Sequence, residues 1–126
     1  MRVAARAVFD FVRPEGPPAP VHTELVYSAD DPFAVTMHFH SGGSVTTWIM
    51  GRDLLRDGLS RPAGEGDVRL RPSGRAVVLE LVSERHVTVF RVPASTLREF
   101  LDAAHLLVPA GTERFDADAF LSSVLR

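Results

Sequence analysis

The sequence contains no cysteine and no lysine. Without cysteine there are no disulfides, no thiolate nucleophile and no cysteine-ligated zinc. Without lysine there is neither a lysine-bearing phosphate loop nor Schiff-base chemistry. The fourteen basic residues are therefore all arginine, a mark of high-GC codon usage that says nothing of activity. A net charge of −2 and a pI near 6.2 argue against a general binder of polyanions. No apolar run approaches the length of a bilayer span, and the opening MRVAARAVFD alternates instead of forming the apolar block of a signal peptide. A cytosolic location is expected.

What is present suits one folded domain over residues 1–126. Hydrophobic residues make up 45% and charged residues 24% of the chain, enough for a single real core. The stretch from Asp31 to Leu59 organises the reading. Phe33, Val35, Met37 and Phe39 alternate with Ala34, Thr36 and His38, the period of a half-buried strand. Ser41-Gly42-Gly43-Ser44 predicts a tight hairpin turn, and Val45 to Met50 returns as the partner strand. Gly51 to Gly58 predicts a short charged helix, with Gly58 placed to stop it.

Around this stretch the same periods recur. Val3, Ala5, Ala7, Phe9 and Phe11 line one face of a first strand. Arg13 to Pro20 holds four prolines and is expected to be a loop, and His22 to Tyr27 follows as a second strand. Gly66–Arg71, Ala76–Val82 and His86–Val92 predict an antiparallel meander, with turns at Pro72–Arg75 and Ser83–Arg85. The last two strands are apolar on both faces, as in strands covered on both sides. Leu97, Phe100, Leu101 and Ala104 form a helical stripe, and Thr96-x-x-Glu99 resembles a capping box. Asp116 or Asp118 can cap a terminal helix carrying Phe120, Leu121, Val124 and Leu125. The expected fold class is α+β: four strands and a helix, then three strands and two helices, a weak internal duplication of architecture.

No reaction centre emerges from the residues. His38 and His40 project from one strand face and could share a metal, but no third ligand stands nearby, and two polar residues on the exposed face of a strand explain them better. Gly42-Gly43-Ser44 leads into a strand, without the elbow that a nucleophilic serine needs. Gly64-Glu65-Gly66 also precedes a strand, so no helix start is offered to phosphate. Asp30-Asp31 and Asp53 with Asp57 are explained by solvation and neighbouring arginines. No catalytic residue, metal site or cofactor is assigned. The candidates for contact with a partner are four. Arg69 and Arg71 share a strand face and, with Arg61, could grip an acidic segment or phosphates; solvated arginines on an edge strand are the plain alternative. Trp48, on the face opposite Val45, Thr47 and Ile49, is a partner anchor if exposed and a core plug if not.

Taken in order, Asp31-Pro32-Phe33-Ala34-Val35, Phe39-His40, Trp48, Arg52-Asp53-Leu54-Leu55, Gly58-Leu59, Arg61-Pro62, Gly64-x-Gly66-Asp67-Val68-Arg69 and Pro72 resemble the SsgA-like family of actinobacterial sporulation and cell-division proteins. Phe100-Leu101, Val108-Pro109-x-Gly111-Thr112-Glu113 and Phe115-Asp116 extend the likeness, which covers most of the chain from Asp30 onward and matches Ser73 to Val92 only loosely. The resemblance implies a non-enzymatic adaptor in septum-site selection, division-machinery recruitment or cell-wall remodelling. It implies FtsZ or another SsgA-like protein as partner, and a place at the division septum. It also implies a curled, barrel-like antiparallel sheet with packed helices, similar to the whirly fold and often assembled as a trimer. Because the whirly architecture elsewhere binds single-stranded nucleic acid, such a binding module is the alternative function. It rests on fold analogy alone, and Arg61 to Arg75 has no interleaved aromatic to support it.

Overall fold

The computed structural model describes residues 1–114, 118 and 121. Four strands, β1 (Arg2–Phe11), β2 (Ala19–Ser28), β3 (Ala34–Ser41) and β4 (Ser44–Gly51), run into helix α1 (Arg52–Gly58). Three more, β5 (Val68–Ser73), β6 (Ala76–Ser83) and β7 (His86–Pro93), run into helix α2 (Ala94–Leu107). All pairings are antiparallel, and the sheet order is β4-β3-β2-β1-β7-β6-β5. The sheet curls into a half-barrel, with β4 and β5 as its edges and the helices packed against it. In both halves the last strand passes into its helix without a loop, which is the duplication the sequence predicts.

The alternation read from sequence sets the core. Phe9, Leu25, Val35, Met37 and Leu79 are each no more than 1% exposed, and each sits on the inner parity of its strand. The α2 stripe Leu97, Phe100, Leu101 and Ala104 is buried in full. Full burial of its three large members stabilises by roughly 1.5–3 kcal/mol each, so α2 closes the core firmly. Among the described residues the two halves meet in the backbone at Asp10↔Arg91 and Phe11↔Phe90, with one further bond from the Val12 N–H to the Val89 carbonyl at 2.8 Å. Aromatic packing completes that junction: Phe39 stacks on Phe90 at 4.8 Å between ring centroids, and Phe9 meets both rings edge-on.

Several expectations need correction. Phe33 lies in the turn before β3 and is 52% exposed; the buried strand face begins at Val35, although the Phe33 carbonyl still accepts from the backbone N–H of Arg52 at 2.8 Å. β2 starts at Ala19, with Pro20 opposite Asp10. The β3 ladder reaches only to His22, so a missing N–H at Pro20 breaks no bond on that side. Pro72 likewise sits inside β5, which a sheet edge permits. The Thr96–Glu99 box makes no capping bond, because α2 starts directly from Pro93 and leaves Thr96 within the first turn. Of the doubly apolar strands, Val77, Leu79 and Leu81 face the core. Val78 is buried on the other face, where Arg91 reaches across β6 to Ser73 on β5. Apart from Asp118 and Leu121, the expected terminal helix, including Asp116, Phe120, Val124 and Leu125, lies outside the described residues.

Gly58 is the last residue of α1 but not a left-handed cap: it is helical, and Leu59 beyond it is also right-handed. A Cβ at Gly58 would lie 2.6 Å from the Cβ of Leu70, on β5. Gly58→Ala should therefore destabilise the protein by about 1–2 kcal/mol, the overpacking cost outweighing a helix-propensity gain of up to about 1 kcal/mol. Urea unfolding measures this; a more stable variant would show that β5 yields freely.

Candidate interaction surface

Among the described residues the most heavily bonded side chain is Arg52, which is wholly buried at the start of α1. Arginine is almost never so placed unless paired. Its guanidinium donates to the Tyr27 hydroxyl at 2.9 Å, to the Val108 carbonyl at 2.6 Å and to the Ala104 carbonyl at 3.3 Å. It also forms an ion pair with Glu113. The Tyr27 hydroxyl in turn donates a hydrogen bond to the Pro32 carbonyl at 2.9 Å. One cation thus ties β2, the Pro32 corner, the end of α2 and the segment after it. Only Nε lacks a partner among the described residues. Burial pushes the Tyr27 phenol above its ordinary 10.0, against the pull of Arg52.

Glu113 is held below the usual carboxylate range by a hydrogen bond from its own backbone N–H, and further by Arg52 and the N–H of Gly111. A depressed carboxyl pKa contributes stability that is fully present above the ordinary value near 4.5. That contribution is lost as pH falls through the lower folded value. The wild type should therefore lose stability in acid faster than Glu113→Gln, with the two curves converging below pH 4.5. Parallel acid limbs in denaturation curves taken across that range would show that the pair has no such linkage.

This hub is structural, and sequence reading missed its role by treating α1 as a charged, exposed helix. One signal was available: Arg52 and Glu113 carry opposite charge and both belong to the family-like set. The partner candidates lie elsewhere. Trp48 is half-buried, packed against the core, and lines a hollow with Phe11, Val21, Phe39, Leu81 and Phe90. It is thus neither a free anchor nor a sealed plug. The polar members of the lining are Ser41, Thr46 and Thr88, and no charged side chain enters it. Arg69 and Arg71 share the exposed face of β5, as expected, in a separate hollow with Glu80. Arg71 approaches Glu80 at 4.0 Å, Arg69 donates to the Gly66 carbonyl at 3.2 Å, and Arg61 pairs with Asp57 at 3.4 Å. Such exposed pairs are worth little energetically. The structure therefore joins Arg69 and Arg71 but puts Trp48 in a different hollow.

On the outer face of the four-strand half, His40 stands opposite His22, and His38 opposite Glu24. His38 Nδ1 and Thr47 Oγ1 are 2.9 Å apart. Among the described residues no three His, Asp or Glu side chains group as metal ligands. No helix among them is long and apolar enough to cross a membrane.

Comparison with known proteins gives one consistent result. The family model described as "Streptomyces sporulation and cell division protein, SsgA" matches residues 21–113. The sporulation-specific cell division protein SsgB of Streptomyces coelicolor is 43% identical over 113 residues, covering 84% of this chain and 82% of that protein. Its counterpart in Saccharopolyspora erythraea is 42% identical over 111 residues, covering 85% and 79%. A crystal structure of an SsgA-like sporulation-specific cell division protein from Thermobifida fusca superposes with a TM-score of 0.85 at 33% identity, covering 99% of this chain and 93% of that one. A structure from work linking SsgB mutations to longitudinal cell division during sporulation of Streptomyces coelicolor gives a TM-score of 0.86 at 36% identity, covering 90% and 93%. The chain belongs to the SsgA family, the non-enzymatic sporulation and cell-division proteins of actinobacteria.

Proposed function

We propose that the chain, as one SsgA-like domain over residues 1–126, is an adaptor in septum-site selection that works in the cytoplasm at the division septum. Its partner is FtsZ or another SsgA-like protein, and it acts as a homo-oligomer, a trimer by family resemblance. The observation that carries this is the pairing of a buried structural hub with two open surfaces. One surface is the uncharged hollow at Trp48; the other is the arginine edge of Arg69 and Arg71, with Arg61 beside it. Nucleic acid is the weaker reading, because the aromatics and the arginines occupy different hollows. A single-strand groove needs them interleaved.

The experiment is a pull-down of purified FtsZ and of a sister SsgA-like protein, with Trp48→Ala and the double variant Arg69→Glu/Arg71→Glu alongside the wild type. Capture of either protein, weakened by one of the variants, is the expected result, together with septal localisation of a tagged copy. No capture, with normal sporulation septa in a deletion strain, would overturn the reading.

A further inference from the structure

The two edges of the half-barrel are built differently. β5 carries Arg69, Arg71 and Pro72, and its Leu70 exchanges both backbone hydrogen bonds with Ala63 at 2.9 Å. Charges, proline and a covering segment are the ordinary defences of an edge strand. Among the described residues β4 has none of them. Its eight residues, Ser44 to Gly51, include no charged residue and no proline, and most of them are exposed. Val45 is 54% and Ile49 64% exposed.

The turn before β4 fixes which backbone groups are free. Gly42 and Gly43 both take positive φ, +56° and +83°, as a two-residue type I′ turn requires. Such a turn makes Ser41↔Ser44 a hydrogen-bonded pair, and the pairing alternates from there. Val45, Thr47 and Ile49 therefore aim their N–H and C=O groups away from β3, in a row that specifies an extended chain. On the inner face, Thr46 and Trp48 border the uncharged hollow, about 220 Å³ in volume.

We propose that β4 accepts an extended, uncharged segment of a partner protein, which adds to the sheet beside Thr47 and seats a large apolar side chain in the hollow next to Trp48. Strand addition takes affinity from main-chain bonds and specificity from pockets for alternate side chains, and β4 supplies both. A second copy of the chain fits less well. Self-pairing centred on Thr47 sets Thr46 of the partner subunit against Trp48, and a threonine is too small and polar for that hollow. The inference rests on the adaptor reading for the partner being a protein, but its test does not use FtsZ.

A random decapeptide library displayed on phage is selected against the purified protein, and hits are titrated as free peptides by the fluorescence of Trp48, the chain's one tryptophan. Expected hits are uncharged, alternate with period two and carry a large apolar residue on one parity. Thr47→Pro removes an outward N–H and should weaken them by about tenfold. Ile49→Lys places a charge on the exposed edge and should weaken them likewise. Circular dichroism checks that both variants fold, and Ile49→Lys carries the test if Thr47→Pro does not. No enrichment, or hits that bind both folded variants as well as wild type, overturns the proposal. So does a wild-type oligomer that either variant dissociates in sedimentation, since the occupant is then a second copy. A failed selection beside a successful FtsZ pull-down removes this inference and leaves the adaptor reading standing.

Discussion

Arg52→Ala is expected to destabilise the protein by about 3–5 kcal/mol, the usual result of removing one partner from a buried ion pair. The cost comes less from the lost attraction than from what stays behind. The Glu113 carboxylate, the carbonyls of Ala104 and Val108 and the Tyr27 hydroxyl would all lose a donor in a place water reaches poorly. Against a typical domain stability of about 5–15 kcal/mol, that is enough to unfold a marginal protein at growth temperature. Arg52→Lys should recover only part of the loss, because a single ammonium cannot reach toward Tyr27, Val108 and Glu113 at once. Equilibrium unfolding of the two variants and of Arg52→Ala/Glu113→Ala gives the coupling, expected at about 1–3 kcal/mol. An Arg52→Ala variant within about 1 kcal/mol of wild type would show the hub to be dispensable.

The second large effect is at Phe90. This ring is 5% exposed and belongs to one of only two residue pairs that join β7 to β1. It stacks on Phe39, meets Phe9 edge-on and tilts against Phe11 at 5.9 Å. Phe90→Ala should cost about 3–5 kcal/mol from transfer and cavity terms together. Because the junction has so little backbone pairing, the halves should also lose cooperativity, so that fluorescence and circular dichroism transitions no longer coincide. Phe90 lines the hollow beside Trp48, and the tryptophan emission should shift to the red. Phe33→Ala, at an exposed position, is the control and should stay within about 0.5 kcal/mol of wild type. A Phe90→Ala loss no larger than that of Phe33→Ala would mean the halves are held by something other than the aromatic cluster.

Local periodicity made most of the architecture legible. The alternation of Val3 to Phe11 and of Val35 to Phe39, and the Leu97-Phe100-Leu101-Ala104 stripe, each report the side of an element that faces the core. That information needs only neighbours a few residues away. Strand limits at Pro20 and Pro72 were not legible, because a proline is excluded or tolerated according to what lies beside it in the sheet. Edge identity was legible only in part: the arginines of β5 suggest an edge strand, but nothing within β4 says that β1 will sit in the middle and leave β4 at the other edge. Arg52 was the hardest case. Its side-chain partners lie 25, 52, 56 and 61 residues away, so no window around it separates a buried keystone from a solvated charge. The family-like set named it without saying why. For the partner surface, the sequence placed Arg69 and Arg71 on one face correctly, but which hollow Trp48 joins depends on β1, β6 and β7 together.

The strand order has a consequence for how the protein is born. β1 finds β2 as soon as both leave the ribosome, but its other neighbour, β7, is among the last strands to be translated. The first meander can therefore assemble early, yet Phe9 and Phe39 stay uncovered on one flank until Phe90 emerges. During that interval the nascent chain carries a sticky, half-finished wall, and the speed of elongation sets how long it stays exposed.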